Sequence, residues 1–85
     1  IEDIKISPNP SQNLINVEFN SENDQMITYE VYDMMGKLIS SNNRSVLTGT
    51  NNIKLNIEQY QSGTYYLKLI DEDFDVMVDK FIKIK

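Results

Sequence analysis

The chain has 85 residues, 13 acids against 8 bases for a net charge of −5, and neither cysteine nor histidine. Such a length holds one domain at most, and burial of only about 60–65% of the unfolded surface leaves a thin core that no disulfide supplements. These absences remove thiolate chemistry, cysteine metal sites, the usual general base at neutral pH and the commonest transition-metal ligand, so neither an enzyme nor a cofactor is expected. The acidic balance disfavours nucleic acid and anionic membrane surfaces. No apolar run is long enough to span a bilayer, so no membrane insertion is expected. The chain opens on Ile1 without an n-region or h-region, and the expectation is a piece cut from a longer protein. A cysteine-free composition fits export and cytosol equally well.

Alternation of period two dominates from end to end, and no segment holds a helical period over ten residues. Ile4 and Ile6 predict a short first strand. Ser7-Pro8-Asn9-Pro10-Ser11 then halts it, because proline fixes φ, donates no hydrogen bond and pushes the preceding residue to extended geometry. Ile15, Val17 and Phe19 predict one face of a second strand, and Ser21 to Gln25 a polar turn. Ile27, Tyr29 and Val31 mark a third strand, with Thr28, Glu30 and Tyr32 opposite. Asp33 to Gly36 reads as a tight turn in which Gly36 supplies φ > 0. Lys37 to Ser41 begins a fourth strand. Asn42 to Asn52 reads as a polar loop in which Val46 and Leu47 pair briefly. Ile53, Leu55 and Ile57 predict a fifth strand, Tyr60 to Gly63 a turn, and Tyr65, Leu67 and Leu69 a sixth strand. Asp71 to Asp75 is an acidic turn, and Val76 to Lys85 a last strand with Val78, Ile82 and Ile84 on one face. Strands at spacings near 8–12 residues predict an all-β fold, a small antiparallel β-sandwich of about seven strands, Ig-like.

Several motifs have both a chemical and a structural reading. Asp71-Glu72-Asp73-Phe74-Asp75 alternates acids as calcium loops do, but Val76 and Ile82 stand where an EF-hand loop needs glycine and glutamate. A solvated hairpin tip is the simpler reading. Asp33 fits a turn-capping Asx role better than a catalytic one, since no second acid or base has a fixed relation to it. Asn43-Arg44-Ser45 is a glycosylation sequon, a weak pattern. The five tyrosines could stack on sugar, but Tyr29 and Tyr65 lie in phase with core positions and there is no tryptophan. Lys80, Lys83 and Lys85 either guard an edge strand against unwanted pairing or mark an element for a receptor to read. A terminal strand offers a carboxylate and a backbone able to join a partner's sheet.

The order of these motifs resembles one family. Pro8-Asn9-Pro10 after a short strand is followed by Leu14-Ile15-Asn16-Val17. Next come Val31-Tyr32-Asp33-Met34-Met35-Gly36-Lys37 and Asn52-Ile53-Lys54-Leu55, then Gly63-Thr64-Tyr65-Tyr66-Leu67. Lys80-Phe81-Ile82-Lys83-Ile84-Lys85 closes the chain. Together they are similar to the type A C-terminal sorting domain of the type IX secretion system of Bacteroidetes-type bacteria, along essentially the whole chain. Ser7 departs from the pattern, standing where the family often has an aromatic.

The resemblance implies a β-sandwich at the C-terminus of a secreted enzyme or adhesin, here residues 1–85 as one sorting domain. It implies an address, read by type IX secretion machinery proteins. That address takes an N-terminal cargo through the periplasm and across the outer membrane to the cell surface or the extracellular space. A sortase-like peptidase then usually cleaves it, and the cargo is often attached to an anionic lipopolysaccharide. On this reading Pro8, Asn9, Pro10, Asp33, Gly36, Gly63 and Tyr65 determine the fold. Lys80, Phe81, Ile82, Lys83, Ile84 and Lys85 form the receptor contact. An accessory binding module of a secreted enzyme, carbohydrate-binding or adhesive, is the competing expectation.

Overall fold

The alternating residues form seven strands: β1 (Glu2–Ser7), β2 (Leu14–Ser21), β3 (Gln25–Asp33), β4 (Leu38–Val46), β5 (Gly49–Asn56), β6 (Gly63–Ile70) and β7 (Val76–Lys83). The computed structural model describes all of residues 1–85. One sheet has the order β1-β2-β5 and the other β4-β3-β6-β7, with every neighbouring pair antiparallel. Their inner faces share one core. Ile15, Val17, Phe19 and Ile53 come from the first sheet, and Ile27, Val31, Tyr65, Leu67, Leu69 and Phe81 from the second. Full burial of a side chain such as Phe19 or Phe81 contributes about 1.5–3 kcal/mol, so these few residues carry much of the stability of a small domain.

The architecture is the all-β sandwich that the alternation predicts, but two local readings change. Asn42 to Asn52 is not a loop: β4 continues to Val46 and β5 begins at Gly49, so only Leu47 and Thr48 lie outside a strand. Both strands are sheet edges. An edge strand needs backbone pairing on one side only, and its wet face carries no apolar signal. Polar pairs across the ladders serve instead: Thr28 Oγ1 donates to Asn43 Oδ1 at 2.9 Å, and Asn16 Nδ2 to Asn52 Oδ1 at 2.9 Å.

The second change concerns β7. Val78, Ile82 and Ile84 do share a face, but that face points to solvent, while Phe81 and Lys83 are buried on the other. Register decides this, because Tyr65 on the core side of β6 pairs with Phe81. A strand with apolar residues in both phases does not reveal its inner face by alternation alone.

Candidate functional site

β7 is the outermost strand of the four-stranded sheet, next to β6. Its far edge is not open. The Pro8-Asn9-Pro10-Ser11 segment leaves β1, in the other sheet, and runs alongside it, with the Ser7–Pro8 and Asn9–Pro10 peptide bonds both cis. The Asn9 side-chain amide acts as a peptide group would. Its Nδ2 donates to Lys80 O at 3.2 Å and its Oδ1 accepts from Ile82 N at 2.9 Å. Ser11 continues the pairing as a parallel bridge to Lys83. Ser11 N donates to Ile82 O at 3.0 Å, and Ile84 N donates to Ser11 O at 2.9 Å. The remaining outward group of Lys80, its N–H, donates to Asp79 Oδ1 at 2.8 Å. Five successive outward backbone groups, from Lys80 N to Ile84 N, are therefore occupied. A partner strand could not add there without displacing residues 9–11.

The last six residues divide into two sets. Phe81 is fully buried, and its ring stacks on that of Tyr65 with centroids 5.5 Å apart. Lys83 is buried too, its ammonium donating to the backbone carbonyl of Gln12. Burial of a lysine needs such a polar partner. Gln12 Nε2 in turn donates to the Lys85 carbonyl. Lys80, Ile82, Ile84 and Lys85 remain exposed. The sequence marked Ser11 only as the end of the segment that halts the first strand, and did not mark Gln12 at all, because a serine and a glutamine after a proline carry no sign of the strand they will meet.

Asp33, Gly36, Gly63 and Tyr65 lie at the other end of the sheet from the acidic turn. Asp33 Oδ1 accepts from Met35 N and Lys37 N, both at 2.9 Å, while Gly36 N donates to Asp33 O and Asp33 N to Lys37 O. This closes the turn between β3 and β4, with Gly36 at φ +82°. Tyr65 donates from its hydroxyl to Gln61 O at 2.6 Å, fixing the loop between β5 and β6, and packs on Tyr60 at 5.1 Å. Burial, followed by the nearby Asp33 and Tyr60, pushes the Tyr65 hydroxyl above its ordinary range. A cleft of about 460 Å³ separates these two loops, lined among others by Asp33, Lys37, Tyr60 and Tyr65. The Asp33 oxygen that holds the turn is committed to backbone amides.

The acidic turn repeats the Asp33 design. Asp71 Oδ1 accepts from Asp73 N at 2.9 Å and Asp75 N at 3.0 Å, Phe74 N donates to Asp71 O, and Asp71 N to Asp75 O. Its neighbours are likewise used in packing the fold: Met26 N donates to Glu72 Oε1, and Thr48 N and Oγ1 to Asp24 Oδ1. No three acidic side chains converge as a metal site. No helix is long and apolar enough to cross a membrane.

Three comparisons bear on what this arrangement is. Residues 5–85 match the family model described as the secretion system C-terminal sorting domain. Among curated proteins there is no match. Among solved structures, the chain is similar to a DUF3244 family protein with an immunoglobulin-like β-sandwich fold from Bacteroides vulgatus. That similarity has a TM-score of 0.74 at 19% identity, over 95% of this chain and 83% of that one. It also overlays, at a TM-score of 0.46 and 11% identity, on a β-glucosidase from Listeria innocua in complex with glucose, covering 98% of this chain and 16% of the other. The first of these structures shows an Ig-like sandwich. With a match that runs from the middle of β1 to Lys85 and takes in both the Pro-Asn-Pro segment and the strand it clasps, the chain belongs to the C-terminal sorting domains of the type IX secretion system.

Proposed function

We propose that this domain does no chemistry of its own and serves as the address by which an N-terminal cargo crosses the outer membrane. The family match over residues 5–85 carries this reading. Residues 1–85 form one sorting domain at the C-terminal end of a larger secreted precursor. The cargo passes through the periplasm, and a sortase-like peptidase removes the domain on export. The cargo then stays at the cell surface or leaves the cell. The machinery reads the last strand, Lys80 to Lys85. Pro8, Asn9 and Pro10 hold that strand from one side, and Gly63 and Tyr65 hold β6 on the other. Asp33 and Gly36 fix the turn that begins β4. The clasp supports this reading because it keeps the segment beside the cargo-proximal strand and the C-terminal strand in one rigid body.

Fusions of a reporter to the domain test the proposal in a bacterium with an active type IX system. Deletion of Phe81–Lys85 is expected to leave the reporter in the periplasm. Normal surface delivery of that truncated fusion would exclude the strand as the signal.

A further inference from the structure

Exposed apolar side chains are unevenly distributed over this molecule. The outer face of the β1-β2-β5 sheet is a polar ladder, in which Asn16 meets Asn52, Thr50 meets Asn20, and Asn20 meets Asp3, with the single exposed Leu14 at the start of β2. The β3–β4 half of the other sheet combines polar bonds, Glu30 to Tyr32 and Ser41 and Thr28 to Asn43, with exposed Met26 near one end and Leu38 and Ile39 at the other, which form no continuous row. β7 differs. Val76, Val78, Ile82 and Ile84 are 49%, 56%, 42% and 42% exposed, in one alternating row broken only by Lys80. Tyr66, the β6 neighbour of Lys80, adds a 39% exposed ring beside the row, and Lys68 pairs with Val78. Tyr66, Val78, Asp79 and Lys80 line a shallow depression of about 240 Å³, in which one Asp79 oxygen is already taken by the Lys80 N–H.

Phe74 stands two residues before this row, 84% exposed and at φ +64°. In the matching turn Gly36 holds the same place at φ +82°. A bulky side chain in the left-handed region costs roughly 1–2 kcal/mol. Here it gains no burial in return. Strain kept at an exposed aromatic is the pattern expected of a binding anchor, since a few aromatic side chains carry most of the energy of an interface.

We infer that Phe74 and the outward row Val76, Val78, Lys80 and Ile82 form a protein-docking face, read by its side chains and not by strand addition. Its partner is an export-machinery protein that presents an apolar ridge flanked by carboxylates. The ridge matches the aliphatic row and its depression, and the carboxylates match Lys80 and Lys68, the cations on a face whose protein is otherwise acidic. The filled backbone edge from Lys80 to Ile84 rules strand addition out of this stretch. The inference rests on the sorting reading and refines which part of β7 is recognised.

The test uses the reporter fusion with variants outside the core. Phe74→Gly is the sharpest, because relief of the strained φ offsets the added chain freedom of glycine and leaves the melting temperature no lower than the parent's. Its surface delivery is expected to fall about tenfold, with reporter held in the periplasm. Val78→Ser with Ile82→Ser, and Lys80→Glu, are expected to lower delivery likewise. Lys80→Arg is expected to retain it. Met35→Ser, at an exposed apolar side chain on the β3–β4 turn, is expected to deliver normally.

Normal delivery of Phe74→Gly and Lys80→Glu, while the Phe81–Lys85 deletion is still trapped, would overturn the docking face and leave the sorting reading standing. An equal loss in Met35→Ser would also overturn it. Delivery of the deletion itself would exclude the last strand as the signal, the part of the sorting reading on which this docking face rests.

Discussion

The side-chain amide of Asn9 lies against Ile82 where the peptide group of a neighbouring strand would lie, accepting from Ile82 N at 2.9 Å and donating to Lys80 O at 3.2 Å. Together with the backbone of Ser11, this side chain converts the end of an edge strand into a paired strand across more than 70 positions of the chain. The two prolines that bracket Asn9 lack N–H groups and so leave the pairing to Asn9 and Ser11.

Asn9→Ala should free two backbone groups of β7 to water. Exposed groups recover solvent bonds, so the cost is expected to be about 1–2 kcal/mol for the two bonds together. Amide hydrogen exchange gives the local readout: Ile82 N–H should lose protection in the variant, while the Leu67 and Leu69 amides in the sheet interior keep theirs. Equal protection of Ile82 in parent and variant would mean that Asn9 does not hold the edge.

Gly63 begins β6 at φ +155°, and a Cβ built there meets nothing within 4 Å. Any cost of substitution comes from the backbone and not from crowding. Gly63→Val is expected to destabilise by ~1–3 kcal/mol, read as a lower melting temperature. An unchanged melting temperature would show that the chain enters β6 as readily with a side chain in place.

Alkaline stability should follow Tyr65. Burial raises its hydroxyl above the ordinary value of 10.0, which the unfolded chain retains. Below about pH 10 both states hold the proton and the full stability is present. Above it the unfolded state releases its proton first, so stability falls as pH rises towards the folded value. Tyr32 moves the same way through its bond to Glu30. Tyr65→Phe should therefore reduce the alkaline loss without abolishing it, as followed by melting temperature between pH 8 and roughly pH 11.

The acid limb should carry a contribution from Asp24, whose carboxyl is lowered below 3.8 by the Thr48 N–H and hydroxyl. A depressed carboxylate gives stability that is present above its unfolded value and lost as pH falls through its folded one. Thr48→Val removes the hydroxyl bond and should weaken the acid dependence. An acid limb identical to the parent's would assign the dependence to other carboxylates.

Much of the fold was legible because the core strands alternate strictly. Ile15, Val17 and Phe19, or Tyr65, Leu67 and Leu69, each lie on a strand with one dry face and one wet one. β4 and most of β5 were hidden because sheet edges can be built from Ser, Asn and Thr, whose signal is the same as a loop's. β7 misled for the opposite reason: apolar residues occupy both its phases, and only its register against β6 buries Phe81 and turns Ile82 out. The clasp was invisible for a third reason. Nothing local to Asn9 or Ser11 names Ile82 as a partner, since that contact is set by how two sheets stack. Phe74 was legible as part of a turn, but its strained φ was not.

The claim that this chain is an export address is tested most directly with one fusion and two strains. A reporter with a signal peptide is joined to the N-terminal side of the 85 residues and produced in a type IX-competent bacterium and in its secretion-deficient derivative. The account predicts reporter outside the outer membrane in the competent strain and confined to the periplasm in the deficient one. Reporter retained in the periplasm of both strains, or released equally by both, would contradict it.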